Sequence, residues 1–133
     1  MDPRTVIDNE FLTLTFHPGH KIVHHAFKRS TEGSPLREMF LAGLDLIEKE
    51  GADKWLSDDR NFPIWISDDA IWARKEWEPK ALAAGWRFWA VVMPLRVMAR
   101  MNLDDIIARS AEKGLIVRSF EDPEEAYAWL KGC

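Results

Sequence analysis

Apolar and polar positions along this chain switch repeatedly between a period of two and a helical spacing. Residues 11–16 (F-L-T-L-T-F) alternate, which predicts a strand with one buried face. His17-Pro18-Gly19-His20 reads as a tight turn: proline presets φ at the first corner and glycine tolerates the positive φ of a type II second corner. Residues 21–28 (K-I-V-H-H-A-F-K) are a second strand, so an antiparallel hairpin is expected at the start. Ser34 and Pro35 then supply a capping hydroxyl and a proline for the first helical position. Leu36, Met39, Phe40, Gly43, Leu44 and Ile47 follow as one apolar stripe, and Gly51 ends the helix.

Residues 54–61 (K-W-L-S-D-D-R-N) run from apolar to polar, as a buried strand over 54–57 does when it ends at an open edge. Ser67, Asp68 and Asp69 begin another helix, the serine as cap and the acids in the first turn. Ala70, Ala73, Trp77, Ala81 and Ala84 share its core face, Pro79 predicts a kink or break near Glu78, and Gly85 stops the run. Residues 87–93 (R-F-W-A-V-V-M) are nearly all apolar, as expected of a central strand covered on both faces. Pro94 turns the chain, residues 95–101 read as a short helical turn, and Asn102 as the cap of a helix carrying Leu103, Ile106, Ile107 and Ser110, closed by Gly114. Residues 115–120 are the last strand. Asp122-Pro123-Glu124-Glu125 resembles a capping box ahead of a helix that turns Ala126, Trp129 and Leu130 to the core.

The order β-β-α-β-α-β-α-β-α predicts an α/β fold: a mixed sheet of about five strands in sequence order, with one antiparallel edge strand from the hairpin. Residues 1–10 read as an N-terminal arm and 11–133 as a single domain. At 133 residues and 47% hydrophobic, the chain is long and apolar enough for one packed core. A net charge of −4 argues against nucleic acid and anionic membranes as partners. No apolar run approaches the ~20 residues of a membrane span, so membrane insertion is not expected. The polar opening Met-Asp-Pro-Arg does not read as a signal peptide, and one cysteine, Cys133, makes no internal disulfide; a cytoplasmic location is the expectation.

The segments H-P-x-x-K-I-V-H-H (17–25), K-W-L-S-D-D-R-N (54–61), W-x-x-x-x-W-x-P (72–79) and A-G-W-x-x-W-A (84–90) carry a family resemblance. Over about residues 11–131 the chain resembles bacterial STAS-like proteins of unknown function, related in fold to the SpoIIAA-like antagonists of anti-sigma factors. That resemblance implies a non-catalytic module that meets a partner protein through the segment after the third strand and the helix behind it. The antagonists' D-S-[SA]-G signature, which carries their phosphoserine, is absent: Asp58-Asp59-Arg60-Asn61 stands where it would begin, and Ser67 is the serine near the helix start. CRAL-TRIO lipid-binding domains share related topology, which keeps a ligand-binding role in view.

Candidate site residues follow from these elements. Asp58, Asp59, Arg60 and Asn61 sit at the carboxyl end of a strand, where α/β proteins gather their sites, and Arg29 and Arg96 follow the neighbouring strands. Trp72 falls ~140–160° from the core stripe of its helix, and Ile71 and Trp65 join it, as large apolar groups on an interface would. Seven tryptophans in a chain this short point the same way. His24 and His25 point to opposite faces of a strand, so they do not form a metal site together, and Asp58 and Asp59 diverge in the same manner. No phosphate loop, nucleophile elbow, C-x-x-C or H-E-x-x-H is present.

The expected function is therefore a non-catalytic regulatory or protein-binding module without metal or cofactor, binding a partner protein or a second copy as a homodimer. The alternative is a small-molecule or lipid binder with a pocket at the carboxyl edge of the sheet, marked by an enclosed cavity of at least ~300 Å³ lined by apolar groups and a few polar ones. A third is an enzyme pairing Asp58 or Asp59 with a histidine.

Overall fold

Side chains of successive strand residues leave a sheet on opposite faces, and that alternation organises the molecule. The computed structural model describes residues 2–62 and 67–133. One sheet holds six strands in sequence order: β1 (Arg4–Asp8), β2 (Leu12–His17), β3 (Ile22–Phe27), β4 (Lys54–Asp58), β5 (Phe88–Val92) and β6 (Ile116–Phe120). β1 to β3 pair antiparallel and β3 to β6 parallel.

The fold is the expected α/β with a mixed sheet, and it carries one strand more than the sequence suggests. Arg4–Asp8, within the stretch read as an arm, is an exposed edge strand on β2, and Arg4 pairs with Glu50 at the end of the first helix. R-T-V-I-D is short and mostly polar, so little in its pattern announces a strand; the open edge of β2 supplies the pairing. The hairpin turn also differs in detail. Lys21, not Gly19, takes the positive φ, at 62°, and its ammonium reaches the Glu50 carbonyl at 3.2 Å.

Helices cover both faces. α1 (Ser34–Glu50), α2 (Ser67–Trp72), α3 (Glu78–Ala84) and α4 (Val97–Glu112) lie over one face, and α5 (Pro123–Lys131) over the other. Leu36, Met39, Phe40, Gly43, Leu44 and Ile47 are all buried, as the stripe predicts. Ser34 is the first helical residue; the cap position belongs to Gly33, whose N–H donates to Asp69 at 3.0 Å. Pro79 does not break the second helical stretch. Ala73–Trp77 forms a π-helical turn that joins α2 to α3. A wider turn accommodates a ring that has no N–H and crowds the carbonyl one turn back. Asn102 does not start a helix: it lies inside α4, which begins at Val97 after the extended Arg96. The exposed Leu95, Val97, Met98 and Met101 obscure that start, because they follow no core stripe. Asp122 caps α5, accepting from the Glu124 N–H at 3.3 Å, with Pro123 at the first helical position. Among the described residues no helix is long and apolar enough to cross a membrane.

On the α5 face, His17 and His24 stack with ring centres 5.7 Å apart, beside Tyr127. Burial first, then the neighbouring imidazoles of His17 and His25, push His24 down to about 4 against the opposite pull of Asp58. Burial and His20 lower His17 as well. The unfolded chain takes a proton on His24 near the ordinary 6.5, so stability is full above that pH, falls as pH drops from 6.5 towards 4, and levels below. Going from about pH 7.5 to about pH 5, His24 contributes a loss of about 2 kcal/mol. Urea unfolding at the two pH values tests this: His24→Gln is expected to remove that part of the loss, and an equal loss in the variant would contradict it.

Candidate functional site

The buried strand β4 (K-W-L-S-D) divides its side chains cleanly. Trp55 and Ser57 enter the core under α1 to α4, and Leu56 enters the core under α5. In the parallel register Ser57 lies beside His25 of β3 and Val91 of β5, and Trp55 beside Val23 and Trp89.

Three polar side chains in this core are held by indole and imidazole hydrogen bonds. The Trp55 indole N–H donates to His25 Nδ1 at 2.8 Å. An indole only donates, so Nδ1 is the acceptor and the ring proton sits on Nε2. That Nε2–H donates to Asp59 Oδ1 at 2.7 Å, with His25 and Asp59 each 3% exposed. The Trp89 indole donates to Ser57 Oγ at 2.8 Å. Two more indoles bond to backbone: Trp77 to the Phe40 carbonyl at 2.7 Å and Trp86 to the Phe88 carbonyl at 3.0 Å.

The four tryptophans meet edge to face in sequence: Trp55–Trp77 at 5.3 Å, Trp77–Trp86 at 5.2 Å and Trp86–Trp89 at 5.7 Å between ring centres. They do not fill the space between sheet and helices. A chamber of about 100 Å³ remains, open to solvent on one side. These rings and Phe40 line it together with His25, Ser57 and Asp59. Ala70 and Ala73 present only methyl groups to it, and the π-helical turn carries Arg74 and Trp77 along its wall. α4 contributes Ile106, Arg109 and Ser110, followed by Lys113. Glu78, 9% exposed, accepts from Ser110 Oγ at 2.8 Å and from Lys113 Nζ at 2.6 Å, which joins the start of α3 to the end of α4.

The residues singled out from the sequence do not form one outward surface. Asp58 accepts two hydrogen bonds from the Arg60 guanidinium, Nε to Oδ1 at 2.9 Å and Nη2 to Oδ2 at 2.8 Å, and one from its backbone N–H at 3.3 Å; the side-chain pairing raises the guanidinium above its ordinary value. Asp59 turns the other way, into the core. The divergence of the two acids is as the sequence implies, and both are engaged within the chain. Asn61 donates to the Phe27 carbonyl at 3.3 Å. Arg29 is exposed beside Glu10 at 3.5 Å and over the Phe11 ring, and Arg96 is exposed ahead of α4. Ile71 is exposed at 45%. Trp72 is not: it is half-buried, 6.1 Å from the Phe40 ring, with the Arg37 guanidinium 5.2 Å from its own ring centre. A single core stripe gives this helix one neighbour, the sheet, whereas α1 lies alongside it as a second. Trp65 lies outside the described residues.

What sequence reasoning missed as a site is the chamber itself. Its trace in the sequence is the set of four tryptophans at 55, 77, 86 and 89 facing two alanines at 70 and 73. No family model, no curated protein and no solved structure matches the chain.

Proposed function

We propose that this chain is a non-catalytic binding domain that admits a small, ring-sized apolar molecule into the chamber between the sheet and α2 to α4. One observation carries the reading: an open, aromatic-walled space of about 100 Å³ within the core under α1 to α4. Protein interiors pack to crystal-like density and leave few voids larger than a water molecule. A space of this kind forgoes packing contacts that the fold would otherwise gain, and binding restores them. It is smaller than the ~300 Å³ typical of drug-sized ligands, and it compares with a cavity of about 150 Å³ that accepts benzene. It also lies on the sheet's face rather than outside its carboxyl edge, with Ser57 and Asp59 bringing it to the end of β4.

The polar groups within favour binding over chemistry. Both nitrogens of His25 are committed, one to Trp55 and one to Asp59, and Ser57 Oγ accepts from Trp89. A nucleophile needs a base in hydrogen-bond reach, and His25 has no free nitrogen to serve Ser57. The regulatory-module reading draws on the family resemblance and on Trp72 and the Asp58–Asn61 edge as a contact surface. With those groups packed or paired, the chamber is the better-supported site.

Titration with 2-phenylethanol, followed by tryptophan fluorescence, tests the proposal. Saturable binding with a dissociation constant on the order of 1 mM is expected for a ligand of this size. Ala73→Leu, which fills the chamber, is expected to weaken it at least about tenfold. No saturation in the unmodified chain, or equal affinity in a folded Ala73→Leu variant, would remove the reading.

A further inference from the structure

The charges at the chamber mouth do not balance, and the imbalance bears on what enters. Three cations line the chamber, and two carboxylates face it. Asp59 is bonded by His25 within the core, and Glu78 takes Lys113 at 2.6 Å. Arg109 is held by Asp105, outside the chamber, at 2.8 Å. Arg74, exposed on the π-helical turn, has no ion pair among the described residues. It is thus the one lining cation of the described residues without an acid of its own.

Size points in the same direction as charge. A space of about 100 Å³ holds one ring and little more, so any polar substituent on that ring stays at the opening. Inside, both nitrogens of His25 and the indole N–H groups of Trp55, Trp77, Trp86 and Trp89 already have partners, which leaves no nitrogen donor there for an acid. At the opening, a guanidinium presents a planar fork of donors matched to a carboxylate.

We propose that the ligand class is an aryl or arylalkyl carboxylic acid, its ring among the tryptophans and its carboxylate on the Arg74 guanidinium. The proposal rests on the binding reading above. It assigns Arg74 as the group that selects acids from neutral molecules of the same shape, a monoanion being what one uncompensated cation balances.

Phenylacetate and 2-phenylethanol differ only in the oxidation state of the terminal carbon, so the ratio of their affinities isolates the head group. Calorimetric titration of both into the unmodified chain and into Arg74→Gln gives that ratio directly. Phenylacetate is expected to bind about threefold to fivefold more tightly in the unmodified chain, as a partly exposed ion pair would give. The ratio is expected to fall to about one in Arg74→Gln, and to shrink in about 0.5 M NaCl. A ratio near one in the unmodified chain, or one unchanged by Arg74→Gln, overturns this inference while the binding reading stands. Failure of both molecules to bind overturns the two together.

Discussion

Replacing His25 with leucine is expected to cost the fold about 3–5 kcal/mol. The substitution leaves the Asp59 carboxylate, 3% exposed, without the Nε2–H that holds it at 2.7 Å. It also strips the Trp55 indole N–H, in a side chain 1% exposed, of its acceptor at 2.8 Å. A buried charge and a buried donor lose their partners in one step, and unmatched groups in a low-dielectric core are far more costly than the net worth of the bonds themselves. Asp59→Asn separates the two contributions. Its amide oxygen still accepts from Nε2 and no charge remains, so a smaller cost of about 1 kcal/mol is expected. Urea unfolding of the two variants checks both values. A His25→Leu chain within about 1 kcal/mol of the unmodified protein would mean that the chain of bonds from Trp55 to Asp59 is incidental.

The second large effect reverses a common rule. Glycine inside a helix is ordinarily improved by alanine, by roughly 1 kcal/mol. Gly43, in the interior of α1, is expected to behave in the opposite way. A Cβ there would lie 2.2 Å from Cη2 and 2.4 Å from Cζ3 of Trp55. That indole has little room to retreat. Its ring centre is 6.0 Å from Phe40, 5.3 Å from Trp77 and 6.2 Å from Trp86, and its nitrogen is held by His25. Gly43→Ala is therefore expected to destabilise by a net of about 2–3 kcal/mol, lowering the unfolding midpoint by about 10 °C. Trp55→Phe removes the atoms that clash, so Gly43→Ala should be much less damaging in that background. Strictly additive effects in the double-mutant cycle would contradict the close approach of helix and indole.

These expectations also mark where the sequence was readable. The α1 stripe puts Gly43 among the core positions, and the strand alternation alone separates Asp58 from Asp59 and His24 from His25. The strand order followed from alternating strands and helices. What escaped was decided by neighbours that pattern alone does not reveal. Trp72 looks outward on a wheel that knows only the sheet, but α1 stands beside it, and Phe40 and Arg37 cover its ring. Pro79 announces a disturbance without saying that a π-helical turn absorbs it. Arg4–Asp8 carries little strand signal of its own, because its pairing is an offer made by β2. The chamber is the clearest case. Its walls come from three strands, all four helices on that face, the π-helical turn and the loops after β4 and α3, so no single stretch of sequence contains it.

The central claim is that a ring enters among Trp55, Trp77, Trp86 and Trp89. The indole N–H resonances report on it residue by residue, since each tryptophan gives its own signal in a proton–nitrogen correlation spectrum. During titration with 2-phenylethanol, those four signals are expected to move along one saturating curve. Trp129, against Phe120 on the other side of the sheet, is expected to stay in place. Movement of Trp129 alone, or a uniform unsaturating drift of every indole signal, would contradict the claim.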